Sequence, residues 1–329
     1  MKKFLNAVED YLSESLAGFE AAHGDLVVLH TDPLFVRRRN LHSGKVAVIS
    51  GGGSGHEPLH AGFIGYGMLD AACPGQVFTS PTPDQMIAAA EAVETGAGVL
   101  FVVKNYSGDI MNFEMAAEIS GRSNAMVLVN DDVAVDDSSF TTGRRGVAGT
   151  VIVEKVVGSL AESGGDLEAC KAFGDRVTKR TASMGVALTS CTVPQARRPT
   201  LTLGEDEMEV GVGIHGEAGR RRSTMMPADS IAAELLDAIL TDLAPAQGSK
   251  VLLLVNGLGG TPLGELYVLC NAAHRRLRAN GLQVQRTIVG NFTTSLEMAG
   301  ASLTVCLLDE EILMHWDSPV NTPALRWRL

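Results

Sequence analysis

The stretch Val46–His60 (VAVISGGGSGHEPLH) restricts this chain more than any other part of it. Val46, Ala47, Val48 and Ile49 read as a buried strand. Gly51-Gly52-Gly53-Ser54-Gly55 follows, and His56 stands just past the run. Glycine lets a backbone take positive φ and approach another group closely. In open α/β sheets, ligands sit at the carboxyl ends of strands. A strand that empties into glycines and a histidine therefore predicts either a tight turn or a ligand loop, and the histidine tips the reading toward a site. No Gly-Lys-Ser/Thr follows, so this is not a Walker phosphate loop. The spacing is not that of a dinucleotide fingerprint either, and no acidic ribose reader follows at the right distance.

The same unit recurs along the chain. An amphipathic helix is expected over 3–20, from Phe4, Leu5, Val8, Tyr11, Leu12 and Leu16. Leu26–His30 reads as a strand, Asp32-Pro33 as a turn, and Arg37-Arg38-Arg39 as a solvated face. Lys45–Ser50 is the strand feeding the glycines. Pro58–Leu69 reads as a helix and Cys73-Pro74-Gly75 as a loop. Thr82 caps a helix that Pro83 begins, over 83–94. Val99–Val103 is a strand ending in Lys104-Asn105-Tyr106-Ser107-Gly108-Asp109. Ile110–Ile119 is a helix. Ala125–Val129 is a strand ending at Asn130-Asp131-Asp132. Alternation of this kind predicts a parallel α/β sheet. It also predicts that the ends at Ser50, Lys104 and Asn130 share one side, bringing His56, Lys104, Asp109 and Asp131/Asp132 into one crevice.

Residues 140–148 read as a Gly-rich connection, Val151–Leu160 and Leu167–Thr181 as helices, and Gly185–Thr189 as the last strand of this half. The composition breaks at Pro194–Pro199. Together with a length of 329 residues, this predicts two α/β domains, each a largely parallel or mixed sheet covered by helices: 1–193 with the Gly-rich loop, His56 and Asp109, and 194–329 with His215. In the second half, Met208–Ile214 reads as a strand ending in His215-Gly216-Glu217. Ala228–Leu243 and Leu263–Asn280 read as helices, and Val251–Val255, Val284–Val289 and Leu303–Leu308 as strands. A tail begins at Asp317.

The formal charge of −11 argues against nucleic acid or an acidic membrane as the main partner. Five scattered cysteines without CxxC spacing read as reduced thiols of a cytoplasmic protein. Glu9, Asp10 and Glu14 interrupt the N-terminal stretch, so no signal peptide is expected. No apolar run reaches the ~18 residues of a membrane span.

His56, Asp109 and His215 each follow an apolar strand in a loop of small or polar residues. A histidine with a carboxylate suits acid–base work near neutral pH, and a second histidine can serve as base, ligand or nucleophile. His56-Glu57-Pro58-Leu59-His60 has the letters of the zinc motif HExxH, but the motif needs one continuous helix. The preceding glycines and Pro58 oppose that, so no metal is expected. Arg144-Arg145 and Arg220–Arg222 are candidates for an anionic partner, or else are solvated loop arginines.

Seven strings in matching order then point to a family: Ser50–Pro58 (SGGGSGHEP), Cys73–Pro83 (CPGQVFTSPTP), Lys104–Asn112 (KNYSGDIMN), Asp131–Val135 (DDVAV), Gly143–Ala148 (GRRGVA), Val212–Glu217 (VGIHGE) and Asn256–Leu266 (NGLGGTPLGEL). Across its whole length the chain resembles the dihydroxyacetone kinase K-subunit family. The resemblance implies that His215 holds the substrate carbonyl carbon covalently as a hemiaminal. It implies that His56 hydrogen-bonds the substrate and helps activate its hydroxyl, and that Asp109 accepts the hydroxyl proton. Either can be the principal base. Lys104 and the backbone of Gly53, Ser54 and Gly55 complete the pocket. The sequence has no Walker lysine and no kinase signature set. The resemblance accordingly implies a separate nucleotide-binding L subunit carrying ADP or ATP with Mg. That ADP is rephosphorylated through the phosphoenolpyruvate phosphotransferase system, or ATP serves directly. A homodimer is implied as well. Two alternatives stay open: a dihydroxyacetone sensor or co-activator paralogue, and a kinase subunit for a four-carbon keto sugar.

Overall fold

Thr82 and Pro83 show how local chemistry sets an element. In the computed structural model, which describes residues 2–135, 141 and 143–328, Thr82 caps a helix with Pro83 in its first turn. Gln85 closes a capping box by accepting from the Thr82 amide at 2.9 Å.

The chain runs α1 (Tyr11–His23), β1 (Val27–Thr31), β2 (Leu34–Arg38), β3 (Ala47–Ser54), β4 (Ala71–Val77), α2 (Pro83–Val93), β5 (Val99–Lys104), α3 (Ser107–Ser120) and β6 (Asn124–Val129). It continues through α4 (Gly149–Glu162), α5 (Leu167–Thr178), β7 (Thr181–Ala187), β8 (Glu207–Val210), β9 (Arg221–Thr224), α6 (Ala228–Leu243) and β10 (Lys250–Gly257). Last come α7 (Leu263–Ala279), β11 (Gln283–Gly290), β12 (Gly300–Leu307), α8 (Glu310–Asp317) and the short pair β13 (Val320–Asn321) and β14 (Arg326–Trp327).

The first sheet has the order β1-β2-β4-β3-β5-β6. Strands β4, β3, β5 and β6 are parallel, while β1 and β2 run antiparallel at one edge. The parallel register places the carboxyl ends of β3, β5 and β6 on one side, as the strand–loop–helix alternation requires. The second sheet has the order β11-β10-β12-β7-β8-β9, and only β10 and β11 are parallel. Both sheets are mixed and covered by helices. Helix α4 is buried from Gly149 through Ser159, and a single apolar cluster joins Val48 and Leu100 of the first sheet, Val153 and Val157 of α4, Leu252 and Leu254 of the second, and Trp316 and Leu325 near the end of the chain. A helix buried on all sides belongs in such a core, where each buried Val, Leu or Ile stabilises by about 1.5–3 kcal/mol.

Five expectations are corrected. Residues 58–69 form no helix beyond a short 3-10 turn, Ala61–Phe63. Gly65 and Gly67 take φ of 151° and 77°, and a Cβ on either would strike the carbonyl of Asn321 or Pro319. Cys73-Pro74-Gly75 lies inside β4 rather than in a loop. Strand β7 is not the last strand of the first half: it joins the second sheet, paired with β12 from Thr181↔Cys306 to Ala187↔Gly300. Strand β8 stops at Val210 because Gly211 turns the chain with φ 84°. Arg38 is not solvated; it is buried, donating to Asp70 at 3.1 Å and Glu162 at 3.0 Å.

Of the Gly-rich connection expected at 140–148, residues 140 and 142 lie outside the described residues. Four of the cysteines are buried, Cys270 is half-buried, and all are free. Among the described residues no helix is long and apolar enough to cross a membrane.

Candidate active site

The glycine run is neither a turn nor a loop: it is the second half of β3, paired in register Gly51↔Cys73, Gly52↔Pro74 and Gly53↔Gly75 with β4. Each glycine makes room for a neighbour. A Cβ on Gly51 would lie 2.6 Å from the Cys73 carbonyl, one on Gly52 2.3 Å from Lys104 Nζ, and one on Gly53 2.6 Å from the Thr79 amide. Gly55 then takes φ 97° and delivers His56.

His56 is held from the other sheet. The loop between β11 and β12 grips 55–57: Thr294 N–H donates to the His56 carbonyl at 3.2 Å, and Leu296 N–H to the Gly55 carbonyl at 2.8 Å. The Thr294 carbonyl accepts from His56 Nδ1 at 2.7 Å. A carbonyl can only accept, so the ring proton sits on Nδ1 and the lone pair on Nε2. Nε2 is buried and has no protein partner. Burial, then the nearby His215 and Lys104, hold the imidazole well below its usual range, so it is neutral at pH 7.

His215 lies in the connection between β8 and β9, not at a strand end. Three rings surround its imidazole: Tyr106 at 4.6 Å, His56 at 4.8 Å and Phe78 at 5.2 Å between centroids. Phe78 also stacks on His56 at 4.9 Å, and holds φ 56°, a costly conformation for an aromatic residue. His215 Nδ1 donates to Glu217 Oε1 at 3.1 Å, and Glu217 Oε2 accepts from the His215 amide at 3.0 Å. This arrangement orients the ring with Nδ1 toward Glu217. Burial acts to raise the Glu217 carboxyl, but His215 and then Arg145 outweigh it and hold the group at about 2.

Asp109 sits in the first turn of α3, where the helix dipole favours a carboxylate. It is buried, its Oδ1 has no partner, and Oδ2 lies 3.7 Å from Lys104 Nζ. Gly53, Phe78, Ser80, Tyr106, Gly108, Asp109, Asn112 and His215 line one crevice of ≈ 580 Å³. His56 and Lys104 adjoin it through His215 and Asp109. His215 and Asp109 thus share one crevice with His56 packed beside the His215 ring, a set suited to nucleophilic capture of a carbonyl and to removal of a hydroxyl proton.

Other expected residues lie elsewhere. The Ser54 hydroxyl donates to the Gly75 carbonyl at 2.7 Å, within the sheet. Asp131 and Asp132 do not line the crevice. Asp131 accepts from the amides of Val147 at 2.8 Å and Gly149 at 2.7 Å, and Asp132 pairs with the fully buried Arg145 at 2.7 Å. Arg145 is thus no solvated loop arginine. Arg144 pairs with Asp242, Arg220 donates to the carbonyls of Val133 and Ala134, and Arg221 pairs with Glu234. Phe78, Glu217 and Thr294 were not singled out from sequence. Glu217, two residues past a glycine-flanked histidine, carried the one local signal.

The family model described as the Dak1 domain matches residues 17–324. The chain is 47% identical over 355 residues to the dihydroxyacetone-binding subunit of the PEP-dependent dihydroxyacetone kinase of Escherichia coli (strain K12), with 99% of each chain covered. It is similar to the crystal structure of the dihydroxyacetone kinase from C. freundii in complex with AMP-PNP and Mg2+, at TM-score 0.90 and 35% identity, covering 100% of this chain and 62% of that longer one. It is also similar to a dihydroxyacetone kinase operon co-activator, at TM-score 0.89 and 33% identity, covering 94% of this chain and 97% of that one.

Proposed function

The chain belongs to the Dak1 domain family, and from that premise we propose that it is the dihydroxyacetone-binding subunit of a dihydroxyacetone kinase. The observation that carries the reading is the crevice lined by His215 and Asp109, with the His215 ring oriented by Glu217 and the neutral His56 ring, oriented by Thr294, 4.8 Å behind it.

The His215 Nε2 lone pair attacks the substrate carbonyl carbon. The N–C bond forms as the C=O π pair moves to oxygen, and that oxygen takes one proton from solvent. The positive charge left on the ring rests against the Glu217 carboxylate. The resulting hemiaminal anchors a molecule too small for many contacts and rejects glycerol, which has no carbonyl. Positioning of this kind is worth up to roughly 7–11 kcal/mol in favourable reactions. His56 Nε2 and Asp109 Oδ1 then receive the hydroxyl, one of them taking its proton as the oxygen attacks phosphorus. Lys104 balances the Asp109 charge, and the N-terminus of α3 favours the incoming negative charge.

The phosphoryl group comes from ATP with Mg on a partner nucleotide-binding subunit and leaves ADP there; that ATP is either regenerated on a permanently bound ADP through the phosphoenolpyruvate system or supplied directly. The chain acts in the cytoplasm as a homodimer, the commonest closed symmetry. Two measurements test the reading. Dihydroxyacetone labelled with ¹³C at the carbonyl should lose its ketone resonance on the parent chain and keep it on His215→Ala. A mixture with partner subunit and phosphoryl donor should make dihydroxyacetone phosphate, and Asp109→Asn should retain capture without turnover. Capture by His215→Ala would end the anchor assignment. Capture by the parent with no phosphorylation in the mixture would make the chain a co-activator instead.

A further inference from the structure

Behind the crevice, a line of buried polar groups leads from Asp109 into α4. Lys104 Nζ lies 3.7 Å from Asp109 Oδ2 and 2.8 Å from His60 Nε2. His60 Nδ1 lies 2.6 Å from Glu154 Oε1 and 2.9 Å from Ser50 Oγ. Lys104, His60 and Glu154 are 1%, 6% and 0% exposed.

The proton positions follow from the donors. The Ser50 hydroxyl donates to the Val102 carbonyl at 2.7 Å, so it has no hydrogen left for His60. His60 must therefore donate from Nδ1, to Glu154 and Ser50, and accept at Nε2 from the Lys104 ammonium. Burial, then Lys104 and His56, hold His60 well below its usual range, which keeps that neutral tautomer. Gly52 leaves the space: a Cβ there would lie 2.3 Å from Lys104 Nζ and 3.4 Å from His60 Nε2.

We infer that Glu154 and His60 are positioning residues for phosphoryl transfer: through His60, Glu154 fixes the Lys104 ammonium against Asp109 and preserves its charge during turnover. The inference rests on the kinase reading of the crevice. Burial alone drives the Lys104 ammonium down, and Asp109 and then Glu154 oppose it. Burial also pushes the Glu154 carboxyl up to about 8. Once ionised, Glu154 adds a second negative charge to that of Asp109 and helps the buried ammonium keep its proton. The groups facing Glu154 from the elements packed on α4 are Lys104 at the end of β5, His60, and the Ser50 hydroxyl of β3. Facing Lys104 are Asp109 of α3, Glu154, His60 and His56.

The test uses the full chain with its partner subunit and phosphoryl donor, and compares the pH profile of kcat for the parent, Glu154→Gln and Glu154→Asp. Glu154→Gln keeps the shape and removes the charge. Its alkaline limb should move down by about one pH unit, the low end of what a nearby opposite charge is worth, and Glu154→Asp should recover part of that. A second readout needs no turnover: the ¹³Cε resonance of Lys104, in lysine-labelled chain and assigned with Lys104→Met, should titrate lower in Glu154→Gln. If Glu154→Gln does not fold, His60→Asn breaks the same line at its middle and should lower the Lys104 titration likewise. Superimposable profiles with an unmoved Lys104 titration would overturn the inference. A parent complex that makes no product would count against the kinase reading, and the lysine titration would still decide this one.

Discussion

Replacing Glu217 by Gln changes one atom beside the proposed nucleophile and removes a charge. The carboxyl sits at about 2 against an ordinary 4.5. At 1.36 kcal/mol per unit, the fold favours its ionised form by about 3 kcal/mol, with His215 and Arg145 as the partners. A hydrogen bond to a charged group contributes about 1.5–3 kcal/mol net, of the same order. The charge acts on both sides of the capture step: it selects the tautomer with the lone pair on Nε2, and it supports the ring when that nitrogen bonds to carbon. Glu217→Gln should therefore weaken capture by about tenfold to a hundredfold at pH 7. The assay is a titration of the chain with ¹³C-carbonyl dihydroxyacetone, read as the loss of the ketone resonance. The stability effect has a defined sign. A carboxyl with a depressed folded pKa stabilises above its unfolded value near 4.5, and that contribution is lost as pH falls toward 2. The Gln variant should lack this dependence between about pH 4.5 and 2, measured as the urea midpoint against pH. Equal capture by the two proteins at pH 7 would refute the reasoning.

Other predictions follow from the same geometry. His56→Ala should leave carbonyl capture within a few-fold of the parent and reduce turnover by about 10²–10⁴-fold in the complete kinase mixture. Gly53→Ala places a Cβ 2.6 Å from the Thr79 amide and 2.8 Å from Phe78 Cα, and should cost about 1–3 kcal/mol in urea unfolding. Gly18→Ala is its control, since nothing lies within 4 Å of that position in α1, and it should stabilise by about 0.5–1 kcal/mol. Arg145→Leu should cost about 3–5 kcal/mol by leaving Asp132 buried without its partner, and adding Asp132→Asn should recover part of it.

Local signals were sufficient wherever a single stretch decided its own structure. The cap at Thr82, the Val-rich β5 and the helix α6 all read correctly because propensity and pattern agreed, whereas Ser107-Gly108-Asp109, expected as loop, form the first turn of α3. The failures share one cause, which is that distant chain decided the outcome. Cys73-Pro74-Gly75 looks like a loop, yet it pairs with β3 and packs beneath Thr79. Three successive arginines look solvated, yet Asp70 and Glu162 bury the middle one. Asp131 and Asp132 sit where a parallel strand ends, as a site residue should, but the amides before α4 and the guanidinium of Arg145 occupy them. His60 and Glu154 are 94 residues apart, and no periodicity links them. A Glu-Lys pair inside an apolar helical run was the available hint that α4 carries more than packing.

The grip of the Thr294–Leu296 loop on His56 has an evolutionary consequence. The tautomer of a histidine borne by one sheet is written by a carbonyl borne by the other, and an edge-on ring, His215, comes from the connection between β8 and β9. Neither sheet could have been recruited with a working half-site, nor traded later for an unrelated module. Gene fission between the two would yield inert pieces, and only reassembly of both would restore chemistry.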